Sequence, residues 1–207
     1  MTILNIHSLP QDDNINRFTY CSEIDGEMFI QKGAMIAYYG SLYFEAIGAD
    51  ILDILVKDAF NSPKYINNFI VVNGRGKILI ADKKRDIASY NLEDANLTIK
   101  AGNLLGFSPT LRCQESIVPG YLTLLGTGLV IASSNGPVHF LETPVRVDQD
   151  ALIGWGDIPT PSYYYDYKHA NSTLGGLAAL TGLTLSGEEK QLSFNGEGTV
   201  LIQSSEM

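Results

Sequence analysis

Two signals recur three times, in constant order, along this 207-residue chain. The first is a box of small residue, apolar triplet, small residue and aromatic: Gly33-Ala34-Met35-Ile36-Ala37-Tyr38, Gly102-Asn103-Leu104-Leu105-Gly106-Phe107 and Asp150-Ala151-Leu152-Ile153-Gly154-Trp155. The second is a Gly-x-Gly followed by an apolar run: Gly74-Arg75-Gly76 before Ile78-Leu79-Ile80, Gly126-Thr127-Gly128 before Val130-Ile131-Ala132, and Gly196-Glu197-Gly198 before Val200-Leu201-Ile202. A repeated module is a folding unit before it is a site, so the pattern constrains architecture far more than chemistry.

Each box is approached by an alternating stretch whose inward positions correspond: Met28 and Ile30, Leu97 and Ile99, Val145 and Val147. Period-two alternation reads as a half-buried strand. A polar pair then marks a tight turn, with Gly33 and Gly102 free to take positive φ. The box continues as a return strand, and its aromatic, Tyr38, Phe107 or Trp155, is expected in a shared core or between sheets. The Gly-x-Gly runs read as strands with a bent start, since glycine within a strand marks a bulge or a close backbone approach.

The expected fold is all-β: one β-sandwich or barrel-like domain over residues 1–207, built from three modules in pseudo-threefold arrangement, at about 18–80, 81–135 and 136–204. Modules one and three carry insertions. Ala49 to Phe60 places Ile51, Leu52, Ile54, Leu55, Ala59 and Phe60 among Asp50, Asp53, Lys57 and Asp58, which predicts a short amphipathic helix stopped by Asn61-Ser62-Pro63. The second insertion, from about Asp166 to Gln191, is rich in Gly, Ser, Thr and Leu and reads as a loop or an embellished hairpin.

A hydrophobic content of 45% with 18% charged residues is that of a globular chain. The formal net charge of −9 opposes the electrostatic grip on phosphates that nucleic-acid binding needs, and disfavours anionic membrane surfaces. Cys21 and Cys113 lack metal-ligand spacing and imply no disulfide framework, which fits a reducing compartment. Met1 to Pro10 carries no basic, apolar or arginine-rich targeting pattern, and no run approaches the ~20 apolar residues of a spanning helix. Without a signal peptide, the triplets at Asn96 and Asn171 are chance matches to the glycosylation acceptor.

Chemistry-bearing patterns are sparse. Gly74-Arg75-Gly76-Lys77 lacks the P-loop spacing and precedes a strand-like run, and the third glycine of a dinucleotide fingerprint is missing. His7, His139 and His169 stand apart, so no histidine metal site is expected; His139 with Glu142 could share an ion or a proton, or simply form a surface pair. No nucleophile elbow or Cys-His signature appears, and both cysteines read as packing residues. Asp148, Asp150, Asp157 and Glu45 are the acids that could converge for hydrolysis. The most unusual composition is Pro159 to Tyr167, where Tyr163, Tyr164, Tyr165 and Tyr167 offer a candidate interaction surface. Its plainer reading is an edge strand with alternate tyrosines buried.

Taken together, Gly26-Glu27-Met28 leading into the first box, Val147 to Trp155, and the ending Gly196 to Ser204 resemble the altered-inheritance-of-mitochondria (mitochondrial biogenesis) family. The resemblance runs from about Ile24 to Ser204. It implies a fold similar to the tryptophan RNA-binding attenuation protein, with β-sandwich modules repeated in one chain, and it brings no enzymatic activity, cofactor or catalytic residues. For mitochondrial relatives it implies a role in inner-membrane organisation; the absence of a targeting pattern here favours a cytoplasmic location. RNA binding does not follow from the fold, and the charge opposes it.

The expected function is that of a non-enzymatic scaffold or interaction protein, without cofactor, working as a homo-oligomer or on a protein partner through exposed β edges. The alternative is a small-molecule or carbohydrate binding module with weak hydrolase activity, using the tyrosine segment and acids such as Asp157. Peripheral membrane association through the Ala49 to Phe60 helix is disfavoured by its three acids against one lysine.

Overall fold

The computed structural model describes residues 14–47, 60–61, 64–157, 160–165 and 190–205. The architecture is all-β, and among the described residues no α-helix occurs. The expected helix over 49–59, and most of the insertion from Asp166 to Gln191, lie outside the described residues; Phe60 is in a short strand with Asn61. The chain divides into two compact units, Met1–Gly136 and Pro137–Met207.

The first unit contains β1 (Asn14–Asn16), β2 (Thr19–Gln31), β3 (Met35–Ala46), β4 (Phe60–Asn61), β5 (Phe69–Ile80), β6 (Asp86–Lys100), β7 (Leu104–Phe107), β8 (Arg112–Glu115) and β9 (Tyr121–Ser134). Its main sheet runs in the order β6-β9-β7-β2-β5-β3. Met28 and Ile30 on β2, and Leu97 and Ile99 on β6, are buried as expected, but so are Phe29 and Thr98 between them, so these stretches are covered on both faces rather than half-buried. Met28, Ile30, Val72, Ile78, Ile80, Leu105 and Ile131 form the centre of a core that also takes in Leu42. Phe107 adds an aromatic cluster, stacked on Phe29 at 4.8 Å and edge-on to Phe69 at 5.7 Å.

The second unit contains β10 (Val138–Glu142), β11 (Val145–Asp148), β12 (Leu152–Asp157), β13 (Thr160–Tyr165), β14 (Lys190–Asn195) and β15 (Gly198–Gln203). Strands β10, β15 and β12 pair side by side, as do β11, β14 and β13. Trp155 of β12 meets Phe194 of β14 with ring centroids 5.3 Å apart, and both are buried.

The three boxes make the same backbone ladder. Each return strand pairs with the run after its own Gly-x-Gly, Met35 opposite Ile80, Leu104 opposite Ala132 and Leu152 opposite Ile202. Each ladder then slips at the same place, between Met35 and Ala37, Leu104 and Gly106, and Leu152 and Gly154. The N–H groups of Ala81, Ser133 and Gln203 donate to the carbonyls of Ala34, Asn103 and Ala151 at 2.8, 2.8 and 2.9 Å. A bulge adds one residue to one strand and increases its twist, which accounts for the small residue that follows each apolar triplet.

One expectation needs correcting. Phe107 and Trp155 are buried, but Tyr38 is 47% exposed, and Ile36 is 57% exposed where Leu105 and Ile153 are buried. The cause is the neighbouring strand: the outer edge of β7 is covered by β2 through the pairs Phe29–Phe107 and Ile30–Gly106, whereas among the described residues β3 pairs with β5 alone. The turn glycines differ too, since Gly33 takes φ of 84° and Gly102 stays outside the left-handed region.

Candidate functional site

Strand β3 is twelve residues long, and of its side chains only Leu42 is buried. Ile36, Tyr38, Tyr39, Tyr43 and Phe44 are large apolar or aromatic groups left exposed along it. Its single charged residue is Glu45. Edge strands of soluble proteins are usually protected by lysine, proline or brevity, and β3 has none of these.

The strand also bends. Gly40 takes φ of 89°, and a Cβ there would sit 2.5 Å from the Arg75 carbonyl oxygen; at Gly76 it would collide with the carbonyl of Tyr39. The close approach of β3 to β5 therefore needs glycine on both strands. On the face away from the core, the guanidinium of Arg75 is held by Asp25 at 3.1 and 3.2 Å, which raises its pKa further above the ordinary arginine value.

The tyrosine segment forms β13, the outer strand of the β11-β14-β13 sheet. Tyr163 and Tyr165 are exposed while Tyr164 is half-buried, the alternation of an edge strand; Tyr167 lies outside the described residues. Cations already occupy two of the rings. The Arg146 guanidinium lies 3.8 Å from the centre of Tyr164, and the Lys190 ammonium 5.0 Å from that of Tyr163.

The other candidates disperse. His139 Nε2 lies 2.9 Å from Ser204 Oγ, which itself donates to the Pro137 carbonyl; the strand places His139 opposite Ile202 and Glu142 opposite Thr199. Asp148 Oδ1 accepts the Asp150 N–H at 2.6 Å and serves as a turn residue. Asp157 ends β12 opposite Gly198. Cys21 and Cys113 are buried and form no disulfide, and burial pushes the Cys113 thiol up to about 12. His7 and His169 lie outside the described residues. Among the described residues, no group of three His, Cys, Asp or Glu side chains is placed to hold a metal ion. No described helix is long and apolar enough to cross a membrane.

Sequence reasoning singled out β13 and missed β3. Its signal was present, since Tyr38, Tyr39, Tyr43 and Phe44 form the second aromatic-rich stretch of the chain. What concealed it was the equivalence of Tyr38 with Phe107 and Trp155.

No curated protein sequence matches this chain. Among solved structures, the X-ray crystal structure of a Streptococcus pyogenes protein is similar with a TM-score of 0.63 at 17% identity, covering 94% of this chain and 92% of the other. At that identity the likeness shows the fold alone. Residues 23–205 match the family described as Mitochondrial biogenesis AIM24, and with nearly the whole chain matched, this protein belongs to that family.

Proposed function

We propose that the chain is a non-enzymatic interaction protein, acting as a homo-oligomer or on a protein partner through an exposed β edge, and that its β architecture is a threefold repeat of one module. The observation that carries the functional reading is β3, a long edge strand with five exposed large apolar side chains and one charge. Such a strand presents unpaired backbone groups beside apolar surface, the two components of β-strand addition. The repeat rests on the shared ladder positions of the three boxes. Under this reading β13 is a secondary surface: the ring faces that would stack on a sugar are taken up at Tyr163 and Tyr164 by Lys190 and Arg146.

The test is the molar mass of the purified protein by light scattering across a wide concentration range, combined with recovery of partners from native lysate. Mass above that of one chain supports the proposal. A strict monomer that recovers nothing overturns it.

A further inference from the structure

We infer that β3 is the contact between two copies of this chain, paired antiparallel about a twofold axis through Ser41. The inference rests on the interaction reading above and names the surface and its occupant.

The strand is built to be covered. Its counterpart β7 carries the same box, slips at the same position, and has its outer edge closed by an antiparallel strand. The first box keeps Ile36 and Tyr38 in the equivalent positions without such a strand among the described residues. Residues suited to a covered edge have therefore been placed on one that no described strand covers.

Backbone geometry limits the registers to those with the axis at a residue, and cross-strand matching selects among them. The carbonyls of Tyr39 and Ser41 lie against Gly76 and Gly74 of β5. In an antiparallel ladder alternate residues turn their N–H and C=O groups to opposite sides, so those of Tyr38, Leu42 and Phe44 point away from β5. A second strand can bond only to these outward residues, which requires the twofold axis to pass through a residue of β3. With the axis at Ser41, Tyr43 falls beside Tyr39 of the second copy and Phe44 beside its Tyr38. Glu45 falls beside Ala37 of the second copy, so the two carboxylates do not oppose each other. Aromatic cross-strand pairs are the favourable kind, and a twofold contact needs only this self-complementarity.

The five exposed side chains present on the order of 500 Å² between them, more than half of the about 800 Å² that each partner gives to a standard interface.

Oxidative cross-linking of the Ser41→Cys variant, with diamide as the oxidant, is the direct experiment. Residues facing each other at a non-hydrogen-bonded antiparallel site have Cα atoms about 4.5 Å apart, within disulfide range. Two thiols lose two protons and two electrons to diamide, which becomes the hydrazine, and one disulfide forms between the copies. Cys21 and Cys113 are buried and do not compete. The expected result is a covalent dimer at low micromolar protein. The Tyr43→Lys/Phe44→Lys variant is expected to weaken dimerisation at least tenfold with an unchanged circular dichroism spectrum. Ile117→Lys, at an exposed apolar residue away from β3, leaves it unchanged. An oligomer that survives the β3 double variant and gives no Ser41→Cys disulfide overturns the inference while leaving the interaction reading intact. A strict monomer overturns the inference, and overturns the interaction reading as well if it recovers no partner from lysate.

Discussion

Tyr38 and Phe44 lie on one strand, six positions apart, yet their rings meet edge to face with centroids 5.1 Å apart. An extended strand would separate such positions by about 20 Å. The strand must therefore turn sharply between them, and Gly40, with φ of 89°, is where it does so. Both rings lie on the side of the sheet where Leu42 enters the core.

That turn predicts a contrast between glycines. Gly76→Ala would press a methyl group into the Tyr39 carbonyl, and backbone cannot yield as a side-chain end can. A loss of about 2–4 kcal/mol is expected, the range for strain and overpacking together. Gly102→Ala, with nothing within 4 Å and an ordinary φ, should change stability by less than about 1 kcal/mol. Urea denaturation of the two variants makes the comparison; equal stabilities would contradict the close-approach account.

The second unit contains the chain's one tryptophan, which makes its core directly observable. Phe194 is fully buried against Trp155, so Phe194→Ala should cost about 3–5 kcal/mol. Trp155 emission followed through denaturant reports that loss as a lower midpoint. A midpoint unchanged from the parent protein would remove Phe194 from the core.

Alkaline pH should destabilise the first unit. Burial raises both the Cys113 thiol, from 9.0 to about 12, and the Tyr90 phenol, from 10.0 to about 12. Below about pH 9 both groups are protonated in folded and unfolded chains, and their contribution is fully present. Between about pH 9 and 12 the unfolded chain ionises first, so stability falls by up to about 1.4 kcal/mol per pH unit for each group. The Cys113→Ala variant should show a shallower decline over that window. At pH 8 the native Cys113 thiol should also resist a disulfide reagent until denaturant is added; immediate labelling would contradict its burial.

At β13 the prediction is a modest one. Arg146→Ala uncovers the face of Tyr164 and should lower stability by about 1 kcal/mol, the scale of a partly buried cation–π contact. Saturable stabilisation by a sugar, gained in that variant and absent from the parent, would show that the arginine blocks a stacking site. Thermal shift against a panel of monosaccharides reads both effects.

Strands were legible where inward apolar residues recur at every second position. Met28 and Ile30, and Leu97 and Ile99, are buried as expected; that the residues between them, Phe29 and Thr98, are buried too was not legible. The bulges in the boxes were not read from the sequence, which placed a bend at the Gly-x-Gly runs; the ladders slip at the small residue after each apolar triplet. The tyrosines of β13 could be placed on an edge by their spacing, but their cation partners could not, because Arg146 reaches Tyr164 across β14.

What the sequence by itself determined is the local pattern: which apolar residues recur at every second position and where the chain turns. These are local properties, set by φ, side-chain size and period. Only the tertiary structure decided which copy of the box is covered. Tyr38, Phe107 and Trp155 occupy one place in the pattern, yet Phe107 is buried and Tyr38 exposed, because β2 lies along the outer edge of β7 and among the described residues no strand lies along the outer edge of β3. Strand adjacency is a non-local property, fixed by how distant segments pair, and no residue within the box encodes it.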